Sequence, residues 1–201
     1  SFHETKNIIC GEGGAIIINN EQFLDRSEVI REKGTNRTLF KKGQVDKYSW
    51  CDIGSSYLPS ELVAGYLLNQ LNLSKKITEE RLMIWFRYHE LLASLETEGF
   101  IRRPIIPEYS TQNGHIYYVL VDPNIRNKVI EELRVNNIEV TSHYVPLHSS
   151  IAGKKYGKTY LPLKITTKIS ESIIRLPIWM GLDLKTQEYI VEKLIQILKY
   201  L

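Results

Sequence analysis

The later part of the chain alternates short apolar runs with helical patterns. Segments rich in Tyr, Ile and Val predict three strands, at residues 115–122, 138–142 and 173–178. A helix is predicted after Asn124, and Asp183 is the predicted cap of a final amphipathic helix whose Ile190 and Leu194 face inward. This order of elements predicts a small α/β sandwich that begins near Pro104.

The middle of the chain is predicted to be helical. Pro59 suits the start of one helix, and Ser74 can cap a longer one that runs to about Glu98. From periodicity alone, the longer helix either bridges two domains or forms half of a helical bundle. The predicted organisation is therefore a first domain over residues 1–73, a connecting helix and linker over 74–103, and a last domain over 104–201.

The earlier part of the chain carries weaker patterns. The apolar run 15–18 predicts a short buried strand. Asn19 is the predicted cap of the next helix, with Gln22 completing a capping box, and Gly34 is its predicted end. Residues 35–57 and 144–170 show no clear periodicity and are predicted to be irregular.

Composition excludes several classes of protein. The hydrophobic fraction of 43% and the net charge of +3 are ordinary for a globular protein and give no case for nucleic-acid binding. Cys10 and Cys51 are far apart in sequence, and His143 and His148 have no acidic or cysteine neighbour, so no metal site is predicted. No apolar run is long enough to span a bilayer, and we expect a cytoplasmic protein without membrane contact.

The first residues of the chain contain a candidate reactive lysine. Lys6 follows a histidine and a threonine and precedes a glycine cluster. A lysine in such a setting can form a Schiff base with a carbonyl cofactor when its surroundings disfavour the ammonium form. From spacing alone, an ordinary exposed lysine is the favoured interpretation.

The residues around Lys6 favour the reactive lysine over the ordinary exposed one. Ser-Phe-His-x-Thr-Lys-Asn at residues 1–7 resembles the cofactor-lysine segment of the sugar-nucleotide aminotransferases, which are fold-type-I pyridoxal-phosphate (PLP) enzymes. Later segments share the resemblance, at residues 31–37, 45–50, 52–58 and 143–148. Among these enzymes, the chain is most similar to the subgroup that makes dTDP-4-amino-4,6-dideoxygalactose.

The resemblance implies an α/β fold of type I, with part of a large PLP-binding domain followed by a small C-terminal α/β domain. It implies PLP as cofactor and transfer of an amino group, with glutamate as the donor, to a nucleotide-linked 4-keto-6-deoxysugar such as dTDP-4-keto-6-deoxyglucose. It also implies a homodimer and a role in polysaccharide biosynthesis. Because the family has a comparable length before the position of Ser1, we expect this chain to be a fragment that is inactive alone.

Site residues follow from the same resemblance. Lys6 would bind the cofactor covalently and act as the catalytic proton carrier, while Ser1 and Ser56 would contact the cofactor phosphate. Many relatives have asparagine where Ser56 stands. The substrate contacts would be Arg37, Tyr48 and His148, of which Arg37 comes from a basic loop over residues 31–47 that carries six basic and two acidic residues.

Two other functions are open on the sequence. The chain could be a non-catalytic module that docks with a partner supplying the missing half, because apolar surface would be exposed where that half packs. A nucleic-acid-binding domain built on the basic loop is a weaker alternative, because the loop lacks interleaved aromatic residues and a large basic excess.

Overall fold

A computed structural model describes residues 1–201, which divide into two units, Ser1–Ser74 and Lys75–Leu201. In the second unit, two strands form an antiparallel ladder, β1 (Tyr117–Leu120) and β2 (Ile173–Leu176). Tyr117 pairs with Leu176, and Val119 pairs with Ile174. These four side chains lie on one face of the ladder and are all buried, and Leu120 and Ile173 are buried on the other face. Burial on both faces accounts for the largely apolar sequences of the two strands.

Helices surround this ladder. They are α4 (Ser74–Leu91), α5 (Ala93–Thr97), α6 (Arg126–Val135), α7 (Ile151–Tyr156), α8 (Lys164–Ser172) and α9 (Leu184–Tyr200). A single 3-10 turn lies at Leu147–Ser149. The core is formed by the apolar faces of α4, α5, α6 and α9 packed with the two strands. None of the helices combines the length and apolar character needed to cross a bilayer.

Three polar contacts fix side chains within this core. The hydroxyl of Tyr88, a fully buried residue, donates to the carbonyl of Pro177 at 3.0 Å. The indole N–H of Trp85 donates to the carbonyl of Ile116 at 3.1 Å. Gln187 is also fully buried and makes hydrogen bonds to α4. Buried polar atoms that find partners avoid a large desolvation cost, so these contacts define one packing arrangement.

The first unit contains a 3-10 turn at Glu21–Phe23 and the helices α1 (Leu24–Arg31), α2 (Arg37–Lys41) and α3 (Glu61–Asn72). Two isolated antiparallel bridges, Glu32 with Ser56 and Thr35 with Trp50, join the segments on either side of α2. None of the three helices has a fully buried residue. Leu62 in α3, for example, is 87% exposed.

Gly34 is the residue that makes the turn after α1 possible. Its φ of +74° belongs to the left-handed region, and a Cβ there would lie 1.8 Å from the carbonyl oxygen of Asp52. Its own carbonyl accepts hydrogen bonds from the N–H groups of Cys51 and Asp52. The helix α1 ends at Arg31, three residues before the predicted end at Gly34, and Lys33 is the first left-handed residue after the cap at Glu32. What requires glycine at position 34 is the close approach of the Asp52 backbone.

Several local predictions are confirmed. The strands at 115–122 and 173–178 are present as β1 and β2, and Asp183 caps α9 by accepting a hydrogen bond from the N–H of Thr186 at 2.9 Å. Ser74 begins α4, which ends at Leu91 and is followed by the short α5.

Other local predictions are wrong. Residues 15–18 are not a strand, because no other segment pairs with their backbone, and Ile16 and Ile17 are 80% and 87% exposed. The cap of the next helical segment is Asn20 rather than Asn19. Segment 138–142 makes a single bridge, Thr141 with Arg175, although its apolar residues are buried. The segments predicted to be irregular contain α2, α7 and most of α8.

Candidate functional site

Lys6 lies at the tip of a narrow loop at the start of the chain. Backbone hydrogen bonds run from Phe2 N to Gly13 O (2.8 Å), from Glu4 N to Gly11 O (2.9 Å) and from Cys10 N to Phe2 O (2.7 Å). These bonds bring the two arms of the loop together in antiparallel fashion. The N–H of Lys6 donates to the carbonyl of His3 at 2.9 Å, which fixes its backbone on the exposed side of the turn.

The side chains around Lys6 are oriented by one another. Nδ1 of His3 accepts a hydrogen bond from the N–H of Thr5 (3.2 Å) and lies 2.9 Å from the Thr5 hydroxyl. Since Nδ1 is an acceptor, the ring proton of neutral His3 sits on Nε2, which faces a carboxylate oxygen of Glu12 at 3.4 Å. The hydroxyl of Ser1 accepts a hydrogen bond from the N–H of His3 at 3.3 Å.

The amine of Lys6 makes no hydrogen bond or ion pair in the structure, and the residue is exposed. Its neighbours Ser1, His3 and Thr5 have their polar atoms engaged with one another. The structure thus brings Ser1 and Lys6 into one short loop and leaves the lysine side chain accessible from solvent.

The basic loop is organised by an acidic residue. Glu32 is 4% exposed, and its Oε1 lies 3.8 Å from Nη1 of Arg37 and 3.7 Å from Nζ of Lys41. The guanidinium of Arg37 is also placed over the ring of Tyr48, 5.9 Å from its centroid. The predicted substrate residues Arg37 and Tyr48 are therefore neighbours. Glu32 was not predicted as a site residue. Its position between two basic residues was the feature of the sequence that could have indicated a counter-ion for the loop.

Ser56 lies beside the same loop. It forms an isolated bridge with Glu32, and the flanking hydrogen bonds run from Lys33 N to Ser55 O and from Tyr57 N to Arg31 O, both 3.1 Å. The residue is exposed. The pairing places Ser56 opposite the buried acid, so its position is set by the bridge and not by contacts of its own side chain.

His148 belongs to the second unit. Its Nε2 lies 3.2 Å from the hydroxyl of Thr167, and that hydroxyl donates to the carbonyl of Leu163 at 3.1 Å, so Nε2 of His148 carries the donated proton. The two side chains line a groove of about 420 Å³ together with Lys164 and Lys168. A histidine and two lysines give this groove a donor-rich wall.

The second unit also holds a polar cluster around His89. The imidazole is stacked on Trp85, with 4.9 Å between ring centroids, and Nδ1 lies 3.4 Å from the hydroxyl of Tyr117. Burial lowers the pKa of His89, and the neighbouring Arg103 lowers it further. Arg103 makes an ion pair of 2.7 Å with Glu96. The imidazole of His89 is therefore held between an indole ring and a hydroxyl within the second unit.

Comparison with known proteins defines the class to which this fold and loop belong. Residues 1–195 match the DegT/DnrJ/EryC1/StrS aminotransferase family. The chain is a member of this family, and the predicted resemblance is confirmed at that level.

Two relatives show how much of a family member the chain represents. An uncharacterised protein of Methanocaldococcus jannaschii is 30% identical over 155 residues, which are 74% of this chain and 39% of that protein. The UDP-4-amino-4,6-dideoxy-N-acetyl-beta-L-altrosamine transaminase of Campylobacter jejuni, serotype O:2, is 25% identical over 208 residues, covering 99% of this chain and 51% of the enzyme. The chain thus spans about half or less of the length of these relatives.

Solved structures confirm the predicted fold. Helicobacter pylori PseC, an aminotransferase involved in the biosynthesis of pseudoaminic acid, matches with a TM-score of 0.86 at 20% identity, over 100% of this chain and 53% of that one. NtdA of Bacillus subtilis, solved with bound cofactor PMP, matches with a TM-score of 0.84 at 22% identity, over 98% and 45%. The two units therefore have the fold of about half of a family aminotransferase.

Proposed function

We propose that this chain is part of a PLP-dependent aminotransferase that acts on a nucleotide-linked sugar. The amino donor is glutamate, and the acceptor is the keto carbon of a 4-keto-6-deoxysugar, with dTDP-4-keto-6-deoxyglucose as the preferred candidate. The observation that carries the proposal is the family match over residues 1–195, which includes the loop of Lys6. The named Campylobacter relative is itself a transaminase of an amino-dideoxy sugar nucleotide.

The residues present fit the cofactor. The amine of Lys6 has no partner that would compete for it, and the Ser1 hydroxyl, which uses only a lone pair toward His3, keeps its own hydrogen for donation. Ser56 is exposed and can also donate one hydrogen bond to a phosphate oxygen. When bound, PLP withdraws electrons from the substrate carbon that loses a proton.

Lys6 has two functions in this proposal. Its amine would hold the aldehyde group of the cofactor, and as a free amine it would carry a proton to and from the substrate carbon. The exposed loop tip leaves room for this exchange. Arg37, Tyr48 and His148 are the proposed substrate contacts. A guanidinium and a phenol provide donors for phosphate and sugar oxygens, and Nδ1 of the His148 imidazole can accept a hydrogen bond from a sugar hydroxyl.

The test begins with cofactor binding. PLP added to the purified protein should shift the cofactor absorbance, and borohydride reduction followed by peptide mapping should place the label on Lys6. Lys6→Ala should abolish the absorbance shift, whereas Lys42→Ala, a second exposed lysine of the same unit, should leave it unchanged. A label on another lysine, or labelling that survives in Lys6→Ala, would contradict the proposal.

Assembly is part of the same proposal. Many large apolar side chains of the first unit are exposed, among them Ile16 (80%), Ile17 (87%), Ile53 (81%) and Leu62 (87%). Such surface favours association, and we propose a cytoplasmic homodimer. Sedimentation velocity should give the mass of two chains, and a monomer across a wide concentration range would contradict the dimer.

The same exposed surface favours one alternative, a non-catalytic module that docks with a partner protein. The cofactor-binding experiment distinguishes the docking module from the aminotransferase. Stable association combined with no absorbance shift and no label on Lys6 would support the docking module over the aminotransferase.

A further inference from the structure

Glu32 is a buried carboxylate in an unusual position. The residue is 4% exposed, and neither of its side-chain oxygens has a hydrogen-bond donor. A buried charge without hydrogen bonds is costly unless opposite charges compensate it. Its backbone is held firmly, because its carbonyl accepts hydrogen bonds from the N–H (3.1 Å) and the hydroxyl (2.7 Å) of Thr35. The carboxylate therefore has a fixed place beneath the basic loop.

Two cations compensate Glu32. Nη1 of Arg37 and Nζ of Lys41 lie 3.8 and 3.7 Å from the same oxygen, Oε1. These residues are one helical turn apart on α2, where like charges repel each other. Glu32 lies between them and offsets that repulsion, so two cationic groups that would otherwise separate are kept as neighbours.

Both cations keep their donors available. At these distances Arg37 and Lys41 are paired with Glu32 by charge, and neither side chain makes a hydrogen bond in the structure. Their side chains are 44% and 59% exposed, so the unused N–H groups face solvent. An anion approaching from outside would find two sets of donors side by side, held from behind by the carboxylate.

The other basic groups near this loop differ. Arg31 is hydrogen-bonded to Glu28 at 2.7 Å, and Arg26 is paired with Asp52. Lys33, Lys42 and Lys47 have no ion pair with an acidic residue in the structure. Of the basic residues in the 31–47 loop, only Arg37 and Lys41 share one buried counter-ion.

We propose that Glu32 is a positioning residue that holds Arg37 and Lys41 together as a two-point site for a diphosphate group. The inference rests on the proposed function, because a nucleotide-linked sugar carries such a group. A diphosphate can occupy both cations at once, whereas a single phosphate occupies one, so the site should favour pyrophosphate over orthophosphate through pre-organisation.

The test measures that preference by titration calorimetry, using inorganic pyrophosphate and orthophosphate as probes. The preference is the dissociation constant for orthophosphate divided by that for pyrophosphate. In Glu32→Gln, this ratio should fall by about tenfold, because two long side chains lose the carboxylate that holds them together. The matched control is Asp46→Asn, which removes an exposed acid of the same loop that makes no hydrogen bond or ion pair in the structure, and this variant should not lower the ratio. Both variants gain one positive charge, which strengthens the binding of both anions, so a fall of the ratio in Glu32→Gln alone reports the loss of positioning.

A second pair of variants covers the case in which Glu32→Gln does not fold. Lys41→Met removes one of the two points from the surface and should lower the pyrophosphate preference, while Lys42→Met should not. An unchanged ratio in a folded Glu32→Gln protein, or equal effects of Lys41→Met and Lys42→Met, would overturn the proposal. The assay needs neither PLP nor turnover, so its failure is distinct from a failure to label Lys6.

Discussion

Gln187 provides a quantitative test of how the second unit is held together. The side chain is fully buried on α9. Its Nε2 donates to the carbonyl of Ile84 at 2.7 Å, and its Oε1 accepts from Nη1 of Arg87 at 3.2 Å. Both partners belong to α4, so this amide joins two helices that lie a hundred residues apart in the sequence.

Replacing Gln187 by alanine removes both hydrogen bonds and leaves a cavity. Each bond contributes about 1 kcal/mol net, and the lost volume adds about 1–2 kcal/mol, so we expect the free energy of unfolding to fall by about 3–4 kcal/mol. In a unit of this size, each kcal/mol lowers Tm by about 3–6 °C. Urea unfolding followed by circular dichroism measures the free energy, and a thermal scan measures Tm.

The matched control is Gln196→Ala. Gln196 lies on the same helix but is exposed, and its only contact is a hydrogen bond of 3.3 Å from Lys193. We expect this substitution to change stability by no more than about 0.5 kcal/mol. A loss below about 1 kcal/mol for Gln187→Ala, or equal losses for the two variants, would refute the reasoning that the buried amide joins α4 and α9.

Two further predictions concern a turn and an ion pair. Gly34→Ala should destabilise the first unit by more than about 2 kcal/mol because of the clash with Asp52, whereas Gly43→Ala, at φ +69° with nothing within 4 Å, should lose only about 1 kcal/mol; equal losses in urea unfolding would contradict this. The backbone N–H of Arg103, followed by its guanidinium, lowers the pKa of Glu96 below 4.5. The stability that Glu96 contributes is therefore present above pH 4.5 and is lost as pH falls through the lower folded-state pKa. As the pH is lowered, Tm of Glu96→Gln should decline less steeply than Tm of the unsubstituted protein. Parallel curves of Tm against pH would contradict this prediction.

Part of the fold was predictable because it depends on local patterns. The strands β1 and β2, the cap at Asp183 and the start of α4 at Ser74 all follow from residue type and spacing. The strand predicted at residues 15–18 was not found. An apolar run favours burial, but a strand forms only where a second backbone segment offers hydrogen bonds. The sequence of one segment does not show whether such a partner segment lies beside it.

The candidate site divides in the same way. The segment around Lys6 was recognisable as a motif, because its serine, histidine, threonine and lysine are consecutive or nearly so. The contact between Arg37 and Tyr48 could not be predicted from the sequence, because the two residues are eleven positions apart and their contact depends on the turns on either side of α2. The labelling experiment addresses the role of Lys6, and the roles of Ser1, Ser56, Arg37, Tyr48 and His148 stay predictions.

The sequence by itself determined the family, the strands β1 and β2 and the motif around Lys6, because each of these depends on residue types at short spacings along the chain. Only the tertiary structure decided that Glu32 is buried and that Arg37 and Lys41 share it. The turn at Gly34 and the bridge to Ser56 bring residues 50–56 against the segment that carries Glu32. The burial of an acidic residue in a basic run cannot be predicted from the local sequence, because burial depends on which other parts of the chain pack around the side chain.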